Sequence, residues 1–179
     1  MRIIAGAWKG RRLVAPAGHD TRPTNARARQ AVFDILAHAP WCELPGAQVL
    51  DVFAGTGAYG LEALSRGAGF ASFMEQAPAS LAALRENIET CQAKNCKVIG
   101  VDALRPPQGS RQDLVFLDPP YGSGLLVPAL AVLQQHGWIG AGTVVVAELG
   151  PKDEIELPPL LAERTHGKAR LKIWQIQND

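Results

Sequence analysis

The sequence predicts an α/β domain built on a seven-stranded, mostly parallel sheet, with an antiparallel C-terminal edge and a short N-terminal β-hairpin arm. Strand-like apolar runs alternate with helical periodicities between residues 47 and 150, the pattern of a parallel sheet covered on both faces. Two further strand-like runs close the chain without a helix between them, which points to an antiparallel return. At the other end, two short apolar pieces are punctuated by Gly6, Gly10 and Gly18, as in a hairpin.

Each element has a local cause. Arg2 to Ala5 and Arg12 to Ala15 are the hairpin pieces, and HDTRPTN (19–25) is a polar loop. In ARARQAVFDILAHA (26–39), apolar residues at Ala28, Val32, Ile35, Leu36 and Ala39 keep a helical spacing until Pro40. Residues 47–54 read as a strand, 60–68 as a helix closed by Gly67, and 69–76 as a strand. A helix opening on Pro78 covers 78–93, and a strand covers 97–103. The stretch 104–112 is too short and proline-rich for a helix. Then come a strand at 113–120, a helix at 125–138, a strand at 142–150 and two strands around His166-Gly167-Lys168. Residues 1–24 are expected to form a basic arm of the same domain whose body is 25–179.

The 179 residues, 47% of them hydrophobic, suffice for one core. No run is long enough to span a membrane, and MRIIAGAWKGRR lacks the apolar stretch of a signal peptide. Cys42, Cys91 and Cys96 are odd in number and lack C-x-x-C spacing, and the four histidines are scattered. These features predict reduced thiols in a cytoplasmic protein, with no disulfide frame and no metal site. Charge is uneven. Residues 1–30 hold seven basic groups (Arg2, Lys9, Arg11, Arg12, Arg22, Arg27, Arg29) and one acid, while the remainder is net acidic. A polyanion at that edge would explain this; charge alone leaves open a solvated tail.

In open α/β sheets the ligand lies beyond the carboxyl ends of the strands. VLDVFAGTGAYG places Gly55-x-Gly57-x-x-Gly60 there, between a strand and a helix. Such a loop gives a tight turn and lets a ligand approach backbone N–H groups. Glu75, twenty residues on, can accept ribose hydroxyls. A dinucleotide or S-adenosylmethionine fits these features. Asp51, inside the strand, favours the second, because a carboxylate there suits an ammonium group and offers nothing to a pyrophosphate. Asp102, expected to end the third strand, can take an adenine amine.

The strand LVFLD runs directly into Asp118-Pro119-Pro120-Tyr121. Two prolines fix the backbone. Asp118 and the Pro119 carbonyl can each accept one N–H of a planar exocyclic amine, orienting its lone pair toward a sulfonium methyl. Tyr121 offers a stacking face for the base, worth ~1–3 kcal/mol. This corner adds the third reason to prefer S-adenosylmethionine.

The DPPY corner with the AGTG loop resembles the Rossmann-like class I methyltransferases that act on amines in nucleic acid. With MRIIAGAWKGRRL, RPTNARARQAVFDIL and LDVFAGTGAYGLEALSRGA, the chain resembles the RsmD family of bacterial 16S rRNA guanine-N2 methyltransferases over nearly its whole length. The resemblance implies a monomeric, cytoplasmic enzyme that uses S-adenosylmethionine to methylate a guanine of 16S rRNA, within the 30S subunit or an assembly intermediate. It implies catalytic residues at Asp118, Pro119, Pro120 and Tyr121. It places cofactor contacts at Asp51, Phe53, Gly55, Gly57, Glu75, Asp102, Ala103 and Thr24. RNA contacts are expected from Arg2, Lys9, Arg11, Arg12, Arg22 and Arg29. Ala26, Gln30, Thr56 and Tyr59 depart from the family's usual residues. Other readings are a DNA adenine-N6 or protein glutamine methyltransferase with the same corner, an inactive RNA-binding assembly factor, and an NAD-dependent oxidoreductase. The first lacks room for a target-recognition domain, and the last leaves DPPY without a purpose.

Overall fold

The computed structural model describes residues 1–16 and 23–178, with the backbone alone at Pro23 to Asn25. Its centre is a sheet of seven strands: β1 (Gln48–Val52), β2 (Phe70–Met74), β3 (Cys96–Ile99), β4 (Leu114–Leu117), β5 (Val144–Leu149), β6 (Ala162–His166) and β7 (Ala169–Gln175). The order is β3-β2-β1-β4-β5-β7-β6. β1 to β5 pair in parallel, and β7 runs antiparallel to both β5 and β6. The described residues form four helices, α1 (Pro23–His38), α2 (Ala58–Ser65), α3 (Pro78–Cys91) and α4 (Leu126–Gln135). No helix among the described residues is long and apolar enough to cross a membrane.

The two-residue alternation of a strand explains how the sheet is sandwiched. Val49, Phe73, Phe116, Val146 and Ile173 point to one face, where α1, α2 and α3 supply Phe33, Leu61 and Leu84. Leu50, Met74, Val115, Val145 and Trp174 point to the other, against Leu126, Ala129 and Leu133 of α4 and Trp138. The helix-free stretch between β3 and β4 stays close by another device. A Cβ on Gly109 would lie 2.2 Å from Trp138, so only glycine lets the chain cross that indole.

Most element bounds shift by a few residues from expectation, and three differences bear on the site. α1 begins at Pro23, the position where proline's missing N–H loses nothing. β3 leaves the sheet after Ile99, so Asp102 lies three residues beyond the strand instead of ending it. The N-terminal hairpin makes one bridge, Arg2 with Arg12, and closes through Ile3 N to Arg11 O and Leu13 N to Met1 O. It is no free arm. Ile3 and Leu13 are core residues. Glu62 of α2 accepts Ile4 N at 2.8 Å and Ala5 N at 3.0 Å, and Ser65 Oγ accepts Trp8 N at 3.0 Å. Asn87 of α3 accepts Val14 N at 2.7 Å.

Candidate active site

The strand order reverses between β1 and β4, and ligands of such sheets sit at that point. β1 ends in a sharp reversal. Phe53 is left-handed (φ 57°), as are Gly55 (φ 54°) and Gly57 (φ 77°). For a phenylalanine this conformation costs about 1–2 kcal/mol, and it turns the ring into a cavity. Gly57 has a second reason to be glycine: a Cβ there would meet Leu84 Cδ1 at 2.4 Å. Glu75, one residue past β2, braces the loop. Its Oε2 accepts Gly55 N at 2.8 Å, and its Oε1 accepts Gln76 N and Ala77 N.

Two cavities meet here. The larger, about 640 Å³, is lined by Phe53, Glu75, Ala103, Asp118, Tyr121 and Glu148 among others. The smaller, about 270 Å³, is lined by Arg29, Asp51, Gly55, Tyr59 and again Phe53 and Asp118. Asp118 therefore stands at their junction. Pro119 is buried behind it, and Tyr121 is 36% exposed at the mouth. The Tyr121 hydroxyl donates to Glu148 Oε1.

The electrostatics follow from burial. Asp51 is 2% exposed and accepts Gly60 N at 2.9 Å. Desolvation pushes its carboxyl up to about 7, against the hydrogen bond from Gly60. Asp118 is held well above the usual carboxylate range, first by burial and then by Glu148 and Asp51. Burial also raises the Tyr59 phenol, with Glu148 and Asp118 adding to the effect. Among the described residues that hydroxyl has no hydrogen-bond partner, while its ring stacks on Phe116 at 4.9 Å.

The expected residues divide. Phe53, Glu75, Ala103 and Asp118 to Tyr121 share the larger cavity, while Asp51 and Gly55 line the smaller. Gly57 is turned into packing against Leu84 and Phe73. Asp102 lines neither cavity, and its Oδ1 accepts Leu104 N at 2.9 Å. Arg2, Lys9 and Arg12 are exposed on the hairpin, and Arg11 donates to Thr90 O. Arg29 corrects the expectation of an RNA contact. It is 2% exposed, donates to Arg2 O at 2.8 Å, and lies 3.8 Å from Glu62, so no external phosphate reaches it. Arg22 and the Thr24 side chain lie outside the described residues. Glu148 and Glu62 escaped the sequence reading. Each is a lone acid in an apolar run, and for Glu148 that acid at the end of a core strand was the available signal.

A doubly covered parallel sheet with an antiparallel edge, and a glycine turn leaving its first strand, is the fold of the class I methyltransferases. The family described as conserved hypothetical protein 95 matches residues 1–175, and the chain belongs to it, the RsmD family. It is 34% identical over 181 residues to ribosomal RNA small subunit methyltransferase D of Escherichia coli K12, covering 98% of this chain and 89% of that one. The protein of the same name from Haemophilus influenzae is also 34% identical, over 98% and 93%. The solved structure of Escherichia coli yhhF superposes with a TM-score of 0.86 at 34% identity, over 99% of this chain and 98% of that one.

Proposed function

We propose that this protein transfers a methyl group from S-adenosylmethionine to the exocyclic N2 amine of a guanine in 16S rRNA of the small ribosomal subunit. It does so as a cytoplasmic monomer. The position of the Asp118 carboxyl at the junction of two cavities, with Pro119 fixed behind it and the Tyr121 ring exposed beside it, carries this reading. The names of the relatives support the RNA class.

The residues fit the cofactor. Glu75 faces the larger cavity, and a carboxylate has about four lone-pair sites, so it can take ribose hydroxyls while it braces Gly55. Asp51 is a buried carboxyl beside the smaller cavity, suited to an ammonium group. S-adenosylmethionine supplies an electrophilic methyl when bound. Asp118 and the Pro119 carbonyl accept the two N2 hydrogens of the base and aim the nitrogen lone pair; their task is positioning. The base leaves its stack to reach them and lies against Tyr121. Arg2, Lys9 and Arg12 hold backbone phosphates outside.

Small subunits from cells lacking the gene should take up labelled methyl from S-adenosylmethionine as N2-methylguanosine, whereas subunits from cells that carry it should not. Label recovered as methyladenosine, or no label in RNA, overturns the proposal. Asp118→Ala should abolish transfer while keeping cofactor affinity within a few-fold; a large loss of affinity refutes the role given to that carboxyl.

A further inference from the structure

Glu148 is a buried carboxylate that the chemistry above leaves without a task. It is 4% exposed. Leu117 pairs with Ala147 across β4 and β5, so Asp118, the first residue past β4, and Glu148, still within β5, lie side by side, roughly 5 Å apart. Glu148 lines the 640 Å³ cavity and also an adjoining groove of about 210 Å³ that shares Pro119, Pro120 and Leu125 with it. The Tyr121 phenol donates to its Oε1 and so ties it to the corner.

Two carboxyls placed together, one buried and the other at a cavity wall, repel each other, and the buried one loses hydration. A ligand that offsets this must present several N–H donors along one edge. Guanine does: N1–H and the two N2 hydrogens lie in a row. Adenine and cytosine place an acceptor nitrogen beside their amine, which a carboxylate repels.

We propose that Glu148 is the residue that selects guanine, accepting N1–H while Asp118 and the Pro119 carbonyl hold the N2 hydrogens. This rests on the guanine reading above. Each carboxylate oxygen can accept about two hydrogen bonds, so the phenol and N1–H are compatible on one side chain. Tyr121 then has two duties: its ring stacks on the base and its hydroxyl fixes the selecting carboxylate.

The test compares small subunits reconstituted with guanine or 2-aminopurine at the methylated position. 2-Aminopurine keeps the amine but has an acceptor at N1. The wild-type enzyme should show a kcat/KM at least about 10-fold lower on 2-aminopurine, as expected when a buried polar group meets no partner. Glu148→Gln offers an amide N–H to that acceptor. It should lose activity on guanine and narrow the guanine preference at least about 10-fold. The missing O6 of 2-aminopurine is common to both enzymes and drops out of this comparison. A preference unchanged in Glu148→Gln overturns the proposal. Equal wild-type rates on the two bases overturn it too, and this arm stands even if the variant does not fold. A wild-type enzyme that methylates no guanine refutes the proposed function instead.

Discussion

Asp51→Asn should make the protein more stable at neutral and alkaline pH, by an amount that grows between about pH 4 and 7 and stays level above. The wild-type carboxyl titrates near 3.8 when exposed and near 7 in the fold, chiefly because burial disfavours its charged form. Between those values the folded chain holds a proton that the unfolded chain has released. The stability contributed by this raised pKa is full below 3.8 and is lost as pH rises through about 7. A separation of about three units is on the order of 4 kcal/mol, at about 1.4 kcal/mol per unit. Asparagine keeps the size and the oxygen that accepts Gly60 N, and it does not titrate. Urea unfolding followed by tryptophan fluorescence measures both chains, taking the stability from the linear extrapolation. The difference between variant and wild type should be small at about pH 4 and approach the order of 4 kcal/mol at about pH 8. A difference that does not change with pH refutes the buried, proton-holding carboxyl. Cofactor binding offers a second view. An ammonium beside Asp51 should release its proton near pH 6, so the wild type should shed a proton on binding and the variant should not; calorimetry in buffers of different ionisation enthalpy reads this.

Glu75→Ala removes the brace on Gly55 and the acceptor facing the larger cavity. Cofactor affinity should fall at least about 10-fold, the order of one lost charged hydrogen bond, and unchanged affinity in a binding titration removes Glu75 from the site. Replacing Arg2, Lys9 and Arg12 together with alanine should reduce the slope of log affinity against log salt for the RNA particle by about 2, since fewer phosphates are neutralised. An unaltered slope means the hairpin is not the docking element. Gly6→Ala puts a Cβ 1.8 Å from Ser65 O at a residue with φ +83°. It should destabilise the fold by about 3 kcal/mol or more; a thermal transition at the wild-type temperature would show that the hairpin does not depend on this close approach.

Much of the fold was legible because its signals are local. The alternation of apolar strands and helices, Pro78 opening α3 and Gly167 between β6 and β7 depend on neighbours in sequence, and they gave all seven strands. The glycine turn and the DPPY corner were legible for the same reason. What escaped depends on distance. Glu62 looks like an ordinary helix acid in GLEALSRG, yet it accepts Ile4 N and Ala5 N from far away in the chain. Arg29 reads as one more surface cation in a basic segment, and only the packing of α1 beneath the hairpin buries it. Asp102 sits where a strand of average length would end, and β3 stops early. Glu148 is hidden in VVVAEL because no short motif records which strands lie side by side.

The anchors of the hairpin have a consequence for biosynthesis. Glu62, Ser65, Asn87 and Thr90 lie 57 to 79 positions after the residues they hold. Residues 3–14 are synthesised before every one of these anchors, and the last anchor, Thr90, follows Arg11 by 79 positions. Until that residue is made, the hairpin that carries Ile3 and Leu13 lacks part of what holds it in place. The wall that Met1 and Arg29 give to the smaller cavity is therefore completed only after the third helix has been made.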